Sequence, residues 1–471
     1  MLKIISRISL TRIVLLGLLL KLALFCYISP WNKNVEKNRI VVSDSWQYET
    51  MAENLLKYHT FSSPIDTLNP AHFSDYRLTG YLFLHPDSYR EPGYPLFLAA
   101  IYFIVGIKPF MAILVQILLS SIVLVFCFKI ALLLFNNEAI AKLSTLLVAI
   151  DIHSIFIANE LLTDTLLIVL FLPAVYHFLK GMKNYRWQHF AHGGILSGFA
   201  CLTKPIVLLY PAVLLLIILF FSAQPKVWSI KMVVLFTLLC GSITSIWLVR
   251  NRIDYGHWQM TTQGDNDLLF YYSSLSEQRV SHHNLDSIRV KFQRQADSAG
   301  FKTEKDIFKQ SAIYKHLAIS YISTHKLTFF ISHLEGGRNM YLSIGNHSLS
   351  KTLGWGNDKD DLPQFAVVNS QRVLANFKKD KRETLLGILI LLIMLIEYGG
   401  AAYGIIRLYM DKHLMVILLL ILTIGYLWAI AGVLGSYRYK LPVIPFICIA
   451  AAYGYVNLFK QKNNSSTQNV T

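Results

Sequence analysis

Charged residues are scarce in this sequence, and the composition excludes an ordinary soluble protein. Asp, Glu, Lys and Arg make up 15% of the 471 residues, whereas hydrophobic residues make up 54% and aromatic residues 13%. This balance is typical of a polytopic membrane protein. Lys and Arg number 44 against 28 Asp and Glu, so we expect the surplus on cytoplasmic loops or against lipid headgroups and phosphates. No soluble basic module is present, and nucleic acid is not an expected partner.

Patterns for nucleotide and metal binding are also missing. The sequence has no Gly-x-Gly-x-x-Gly or Walker pattern, and no Cys-x-x-Cys or His-x-x-x-His pattern. His282 and His283 have no partner at a fixed spacing, so we expect no dedicated zinc site. A divalent cation on Asp44 with a second carboxylate stays open as a cofactor, because hard cations need only a few oxygen ligands. An enzyme without a nucleotide site needs an activated substrate that is already in the membrane.

Apolar runs of about 17 residues or more, the length that spans a bilayer, recur along the chain. They lie near 10–29, 109–134, 139–159, 161–180, 189–204, 205–222, 229–249, 384–407, 413–433 and 441–459. The sequence therefore predicts an all-α polytopic membrane protein with about ten transmembrane helices. Basic residues precede the first run without a small-x-small cleavage site, which favours an uncleaved signal anchor.

Two segments after the first span predict interfacial helices. Apolar residues recur at helical spacing over 43–58, but this segment is too polar to span a bilayer. Asp44 opens it, which places a carboxylate where lipid meets water, although Asp44 followed by Gln47 is also a common capping pattern. Segment 93–106 has only about 14 apolar residues. If it lies on the surface, the basic loops that follow fall on the cytoplasmic side, as their charge favours.

These elements divide the chain into modules. They are an N-terminal transmembrane module at 1–250 with an outer loop at 30–108, an outer-face cap at 251–383, C-terminal transmembrane helices at 384–460 and a disordered tail at 461–471. The long outer loop has enough apolar surface for a small, mainly helical cap. The tail is polar and lacks the apolar residues that a packed structure needs.

Ionisable residues from distant segments gather on the outer face in this topology. They are Asp44, Glu49, His85, Asp87, Arg90, Glu91, Asp164, Lys204, Arg438 and Lys440. A carboxylate that faces several cations suits a reaction in which a lipid phosphate leaves and an acceptor hydroxyl loses its proton. Charged side chains are also expected at the ends of spans, so each residue has a purely structural interpretation as well.

Six short motifs in a fixed order carry a resemblance to a known family. They are Asp44-Ser-Trp-Gln-Tyr-Glu, Arg90-Glu-Pro-Gly-Tyr-Pro, Leu161-Leu-Thr-Asp-Thr, Leu202-Thr-Lys-Pro, Arg250-Asn-Arg-Ile-Asp and Arg438-Tyr-Lys-Leu-Pro. With them the chain resembles the GT-C type of integral-membrane glycosyltransferases. It is most similar to the glycosyltransferase 39-like group, which contains the protein O-mannosyltransferases and the bacterial enzymes that attach aminoarabinose to lipopolysaccharide.

The resemblance implies a catalytic role for Asp44. It also implies a substrate-binding set, namely Tyr48, Arg90, Glu91, Asp164, Lys204 and Arg438, in which the basic residues lie near the lipid phosphate. Many relatives carry a second acidic residue beside the first, where this chain has Ser45. The implied location is a bacterial inner (plasma) membrane, with the active site facing the periplasm or exterior.

The function that these features predict is inverting transfer of a hexosyl or pentosyl group. The expected partners are membrane lipid, a polyprenyl-phosphate sugar donor and an acceptor hydroxyl on a lipid, glycan or protein. Two alternatives stay open: a transporter or flippase for the same lipid-linked sugar, and a ligase or polymerase that moves whole glycans. A transporter would have an internal repeat and polar groups across the bilayer midplane. The sequence has no repeat, and the ionisable residues within its spans are scattered: Lys21, Asp151, His153 and Glu397.

Overall fold

Helices account for almost all of the chain that the computed structural model describes, which comprises residues 7–41, 44–63, 85–86, 88–355 and 381–468. The N-terminal helices are α1 Leu10–Ile28, α2 Lys33–Val35, α3 Asp44–Tyr58, α4 Gly93–Val105, α5 Pro109–Leu119, α6 Ser121–Phe135, α7 Glu138–Ile150, α8 Ile152–Ile157, α9 Thr163–Asn184, α10 Trp187–Thr203, α11 Tyr210–Phe221 and α12 Lys226–Tyr255. The later helices are α13 Gln263–Asp267, α14 Ser274–Ser281, α15 Leu285–Ser298, α16 Ile307–Thr324, α17 Lys326–Leu342, α18 Asn346–Leu353, α19 Lys381–Met410, α20 Leu414–Ala431 and α21 Ile444–Gln468.

Short irregular elements join these helices. The π-helical turns are Glu36–Ile40 and Leu268–Ser273, and the 3-10 turns are Pro205–Val207 and Gly432–Leu434. Strand β1, Ser62–Ser63, pairs antiparallel with β2, His85–Pro86. α21 ends at Gln468, so this helix extends into the segment predicted as a tail. The predicted module boundaries stay predictions.

Six stretches of the described chain are long and apolar enough to cross a membrane. They are Leu10–Ile28, Pro109–Phe135, Thr163–Asn184, Lys226–Tyr255, Lys381–Met410 and Leu414–Leu434. Three shorter apolar stretches are Gly93–Val105, Pro205–Phe221 and Ile444–Lys460. The prediction of an all-α polytopic fold is confirmed, but the count of ten spans is not. One reason is that the predicted run 139–159 breaks at Asp151, whose carboxylate accepts the Ser154 N–H at 2.6 Å and caps a new helix, α8.

The two predicted interfacial helices pack against one another. Tyr48 of α3 and Tyr94 of α4 meet edge to face, with ring centroids 5.2 Å apart, and both side chains are buried. At 1.5 Å per residue, the 13 residues of α4 extend about 20 Å. That is shorter than a hydrocarbon core of about 30 Å. The pair forms one hydrophobic core with α1 and α5, beside a larger core built from the long helices.

Residues 256–355, the described part of the segment between α12 and α19, are mainly helical, as the predicted cap requires. Its helices close around a small apolar core in which the Phe270 and Tyr314 rings meet edge to face at 4.9 Å. α17 then packs tightly on the turn after α20: a Cβ added at Gly336 would overlap the backbone of Gly432 and Val433. This contact fixes the start of the segment that carries Arg438.

Candidate functional site

Asp44, Arg90, Asp164, Lys204 and Arg438 form one connected set of ion pairs, called here the charged cluster. Asp44 is the first residue of α3, and its side chain is 36% exposed. One carboxylate oxygen lies 2.8 Å from Nη2 of Arg90, and the other lies 3.6 Å from Nη1 of Arg438. The Asp44 carboxylate thus lies between two guanidinium groups and still has exposed surface.

Arg90 precedes α4, and its guanidinium group is held by several side chains. Its Nε donates to Gln47 Oε1 at 2.7 Å, and its Nη1 donates to Tyr48 OH at 3.3 Å and to Gln263 Oε1 at 3.1 Å. Its Cζ lies 5.3 Å from the centroid of the Tyr89 ring, a cation–π distance. A guanidinium group with this many partners has its orientation fixed before any ligand binds.

Asp164 organises the other half of the charged cluster. It lies in the first turn of α9, where the helix dipole favours a carboxylate. Its Oδ1 accepts from Lys204 Nζ at 2.8 Å, and its Oδ2 accepts from Arg438 Nη2 at 2.9 Å and Nε at 3.2 Å. The Asp164 side chain is only 3% exposed. Asp164 therefore serves as an anchor for two cations and is far less accessible than Asp44.

A close helix contact places the Arg90 segment next to Lys204. A Cβ at Gly93, the first residue of α4, would lie 2.6 Å from the Leu202 carbonyl oxygen and 2.7 Å from the Thr203 nitrogen. Lys204 is the next residue, at the end of α10, and its Nζ lies 4.4 Å from the centroid of the Tyr439 ring. Glycine is required at 93 because the two backbones touch there.

Electrostatics divides the carboxyl groups of this region into two kinds. Burial works against ionisation of Asp44, but attraction to Arg90 and Arg438 and the Arg90 hydrogen bond hold its pKa below the usual value. Burial raises the pKa of Glu91, and it raises the pKa of Glu160 and of Asp267 to about 7. Below that pH Glu160 and Asp267 are mainly protonated, and the three cations of the charged cluster outnumber its two carboxylates, Asp44 and Asp164. The resulting positive field suits an anionic ligand.

The structure places most of the predicted site residues within this region. Tyr48, Arg90, Asp164, Lys204 and Arg438 lie around Asp44 as described, and Glu91 is buried beside Arg90. Glu49 instead faces Glu53 and Glu36, and burial raises its pKa to about 7. Lys440 is 2% exposed, and its Nζ lies 4.0 Å from Met394 Sδ, outside the charged cluster. Asp87 and the side chain of His85 lie outside the residues that the structure describes.

Several neighbours of the charged cluster were not predicted from the sequence. Gln47 had a local signal, because it follows Asp44 by three residues and so shares its helix face. Gln263 had none, since 173 residues separate it from Arg90. Tyr89 and Tyr439 lie next to Arg90 and Arg438 in the sequence, but such adjacency alone does not predict a cation–π contact.

The described residues contain one set of three side chains close enough to share a metal ion, and it lies elsewhere. It consists of His177, His189 and His192. In the charged cluster, both oxygens of Asp44 face guanidinium groups, which supply positive charge at that position.

Comparisons with known proteins agree with the resemblance seen in the motifs. Residues 85–249 match the family model described as dolichyl-phosphate-mannose-protein mannosyltransferase. That segment includes Arg90, Asp164 and Lys204. No curated protein matches the chain.

Solved structures are similar in fold. The oligosaccharyltransferase of Archaeoglobus fulgidus in the apo form aligns with a TM-score of 0.54 and 12% identity, over 98% of this chain and 52% of that one. The same organism's AglB in complex with an inhibitory peptide and a dolichol-phosphate gives 0.51 and 11%, over 99% and 52%. ArnT from Cupriavidus metallidurans gives 0.37 and 12%, over 94% and 78%, which is too weak to support an argument. This chain spans about half the length of the oligosaccharyltransferase structures.

Proposed function

We propose that this chain is a membrane glycosyltransferase of the GT-C type that moves a sugar from a polyprenyl-phosphate donor to an acceptor hydroxyl. The acceptor is a hydroxyl of a lipid, a glycan or a protein, and the charged cluster faces the outer side of the membrane. The observation that carries this proposal is the position of Asp44, a partly exposed carboxylate between Arg90 and Arg438.

The donor phosphate binds to the basic side of the charged cluster. Arg90 and Arg438 present planar guanidinium groups, which suit bidentate contacts with phosphate oxygens, and Lys204 adds a point charge. Asp164 is a positioning residue, because it touches Lys204 and Arg438 and is nearly inaccessible. The similar structure of AglB contains a dolichol-phosphate, and this supports a lipid-phosphate donor for the proposed reaction.

Transfer follows from this arrangement. The acceptor oxygen attacks the anomeric carbon from the face opposite the phosphate, so the configuration inverts, and its proton passes to an oxygen of Asp44. The bond from the anomeric carbon to the phosphate oxygen breaks, and its electron pair stays on the phosphate. Negative charge grows on that oxygen in the transition state, where preplaced cations contribute several kcal/mol. The negative charge of the bound phosphate also offsets the attraction of Arg90 and Arg438 for Asp44, which makes Asp44 a stronger base.

Substitution of Asp44 tests the proposal. Asp44→Asn keeps the shape of the side chain but cannot accept a proton, so we expect transfer from a labelled lipid-linked donor to fall by about 10²-fold or more. The protein should insert and purify normally. Glu53→Gln is the matched control, since Glu53 lies on the same helix and forms an ion pair with the exposed Lys57, outside the charged cluster. Full turnover in the Asp44→Asn protein would remove Asp44 from the reaction.

Asp164→Asn provides a second arm with a different expected outcome. Loss of the Asp164 carboxylate frees Lys204 and Arg438 to move, so the KM for the donor should rise in this variant, whereas Asp44→Asn should mainly lower kcat.

The mass increment on the product separates transfer of one sugar from transfer of a whole glycan. Flux of the lipid-linked sugar across liposomes with its linkage unchanged would instead favour the flippase.

A further inference from the structure

Three histidines meet at the end of the α9–α10 hairpin that is remote from Asp164. His177 lies on α9, and His189 and His192 lie on α10. His177 follows Asp164 by thirteen residues, which is about 20 Å along the helix axis. Neither the proposed transfer reaction nor its substrates account for these side chains.

The sequence folds this way because the hairpin is tight. α9 ends at Asn184 and is capped by Tyr185, which has a left-handed φ of 55°, and α10 begins two residues after Tyr185. Gly181 lets the Phe190 ring approach its backbone, so the two helices touch close to the turn. His189 and His192 are three residues apart and share the helix face that looks toward His177.

The geometry of the three rings matches a metal site. One ligand nitrogen from each ring lies within 4.8 Å of the others, and Nδ1 of His177 lies 3.2 Å from Nδ1 of His189. A tetrahedral ion with bonds of about 2.0–2.1 Å places neighbouring nitrogen ligands about 3.3 Å apart. The first two ligands are therefore already at the required separation. His192 is exposed, so a rotation of its side chain can bring in the third.

The side chains around the three histidines affect how tightly a metal ion would bind. Lys129 and Lys180 lie nearby, but each rests on an aromatic ring, 4.8 Å from the Phe126 centroid and 5.5 Å from the Tyr176 centroid respectively. These cations weaken the attraction for a metal ion, so the affinity should be lower than that of a cysteine-rich structural zinc site. Imidazole ligands favour Zn²⁺ and its neighbours Co²⁺, Ni²⁺ and Cu²⁺.

We propose that His177, His189 and His192 bind one divalent transition-metal ion, such as Zn²⁺, with water as the fourth ligand. The ion ties α9 to α10 at the end of the hairpin opposite to the charged cluster. Its role is structural, and it takes no part in the transfer reaction.

The test uses the full-length protein in detergent micelles, purified through a tag without histidine and stripped of metal with a chelator. Titration with Co²⁺ should give the visible absorption bands of a tetrahedral site and saturate at one ion per chain. Zn²⁺ should displace Co²⁺ and raise the Tm, because it binds the folded state. His192→Ala should weaken binding by at least about tenfold, because loss of a ligand costs more than loss of a group that only orients a ligand.

Two comparisons make the outcome decisive. His316→Ala removes an equally exposed histidine from helix α16 and should leave the Co²⁺ spectrum and the Tm shift unchanged. His189→Ala should behave as His192→Ala does. If the His192→Ala protein binds Co²⁺ as tightly as the unaltered chain, the rings form only a hydrogen-bonded pair and the proposal is wrong. Transfer assays on the same samples report separately on the proposed function, since these histidines lie far from Asp44.

Discussion

At the scale of single residues, the fold assigns different tasks to two carboxylates that look alike in the sequence. Both Asp44 and Asp164 open a helix, and both pair with Arg438. Asp44 keeps 36% of its side chain exposed, whereas Asp164 keeps 3%. A group that takes a proton from an acceptor must be reachable, and a group that orients cations need not be. In the proposed reaction, exposure, which the sequence does not encode locally, therefore distinguishes the base, Asp44, from the positioning residue, Asp164.

Glu160 gives the clearest prediction for pH dependence. Burial raises the pKa of Glu160 to about 7, so the folded protein holds this proton more tightly than the unfolded chain does. The stabilisation is complete below the ordinary glutamate pKa and is lost as the pH rises through about 7. Glu160→Gln cannot ionise, so its Tm should fall less between pH 6 and pH 8 than the Tm of the unaltered protein.

The control for this prediction is Glu138→Gln, at a side chain that is 69% exposed. It should retain the full decrease in Tm between the two pH values. Part of the decrease should persist even in Glu160→Gln, because burial also raises the pKa of Glu49 and of Asp267 to about 7. Equal slopes for Glu160→Gln and the unaltered protein would show that Glu160 is ionised in the folded state.

At the scale of elements, the contact between α4 and α10 controls the charged cluster. We predict that Gly93→Ala lowers both stability and transfer, because the added methyl group meets the backbone of Leu202 and Thr203, which cannot rotate away as a side chain can. Overpacking of this kind costs about 1–3 kcal/mol. The displaced backbone carries Lys204 with it, so the KM for the donor should also rise.

Gly241→Ala is the matched control for Gly93→Ala. Gly241 lies within α12, and a Cβ there would meet nothing within 4 Å. Alanine should therefore be neutral or stabilise this helix by up to about 1 kcal/mol. If Gly93→Ala and Gly241→Ala have the same Tm and the same KM, the close contact at Gly93 does not position Lys204.

Sequence reasoning recovered the elements whose signal is local. The 43–58 pattern predicted a helix that the structure gives as Asp44–Tyr58, and the short apolar run at 93–106 corresponds to Gly93–Val105. It failed where a polar side chain changed the course of the backbone. Asp151 falls inside an apolar run, and hydropathy alone could not reveal that its carboxylate caps a new helix.

The contacts that complete the charged cluster were beyond sequence reasoning for a different reason. Arg438 and Lys440 are two residues apart, yet one pairs with Asp44 and Asp164 while the other is buried on the far side of the turn. Whether Arg438 or Lys440 faces the charged cluster depends on how α17 packs against the turn that begins at Gly432. The approach of Gln263 to Arg90 depends likewise on the packing of the whole cap.

At the scale of the whole molecule, orientation in the membrane is the main testable feature. We predict that a reporter fused after Gly106 is external and that one fused after Lys183 is cytoplasmic. The reason is that α4 is too short to cross the bilayer, and the basic loop at 180–187 belongs on the cytoplasmic side.

Labelling of single cysteines by a membrane-impermeant reagent in intact cells checks this orientation independently. Each introduced cysteine should replace a surface residue. Labelling in lysed cells is the control, because it shows that the cysteine can react when the membrane is no barrier. A cytoplasmic signal from the Gly106 fusion would reverse the proposed topology, and the charged cluster would then face the cell interior.

The ion pairs of the charged cluster have a consequence for what the protein ignores. In the protein without substrate, Arg90 and Arg438 already pair with the Asp44 carboxylate. A neutral diacylglycerol or sterol has no anionic group that could replace this carboxylate. In the proposed reaction, a phosphate monoester or diester replaces Asp44 as the partner of Arg90 and Arg438, and only then is the Asp44 carboxylate free to accept a proton. Binding of the phosphate head group and release of the Asp44 carboxylate would thus occur together. The protein would stay inactive among the uncharged lipids that surround it.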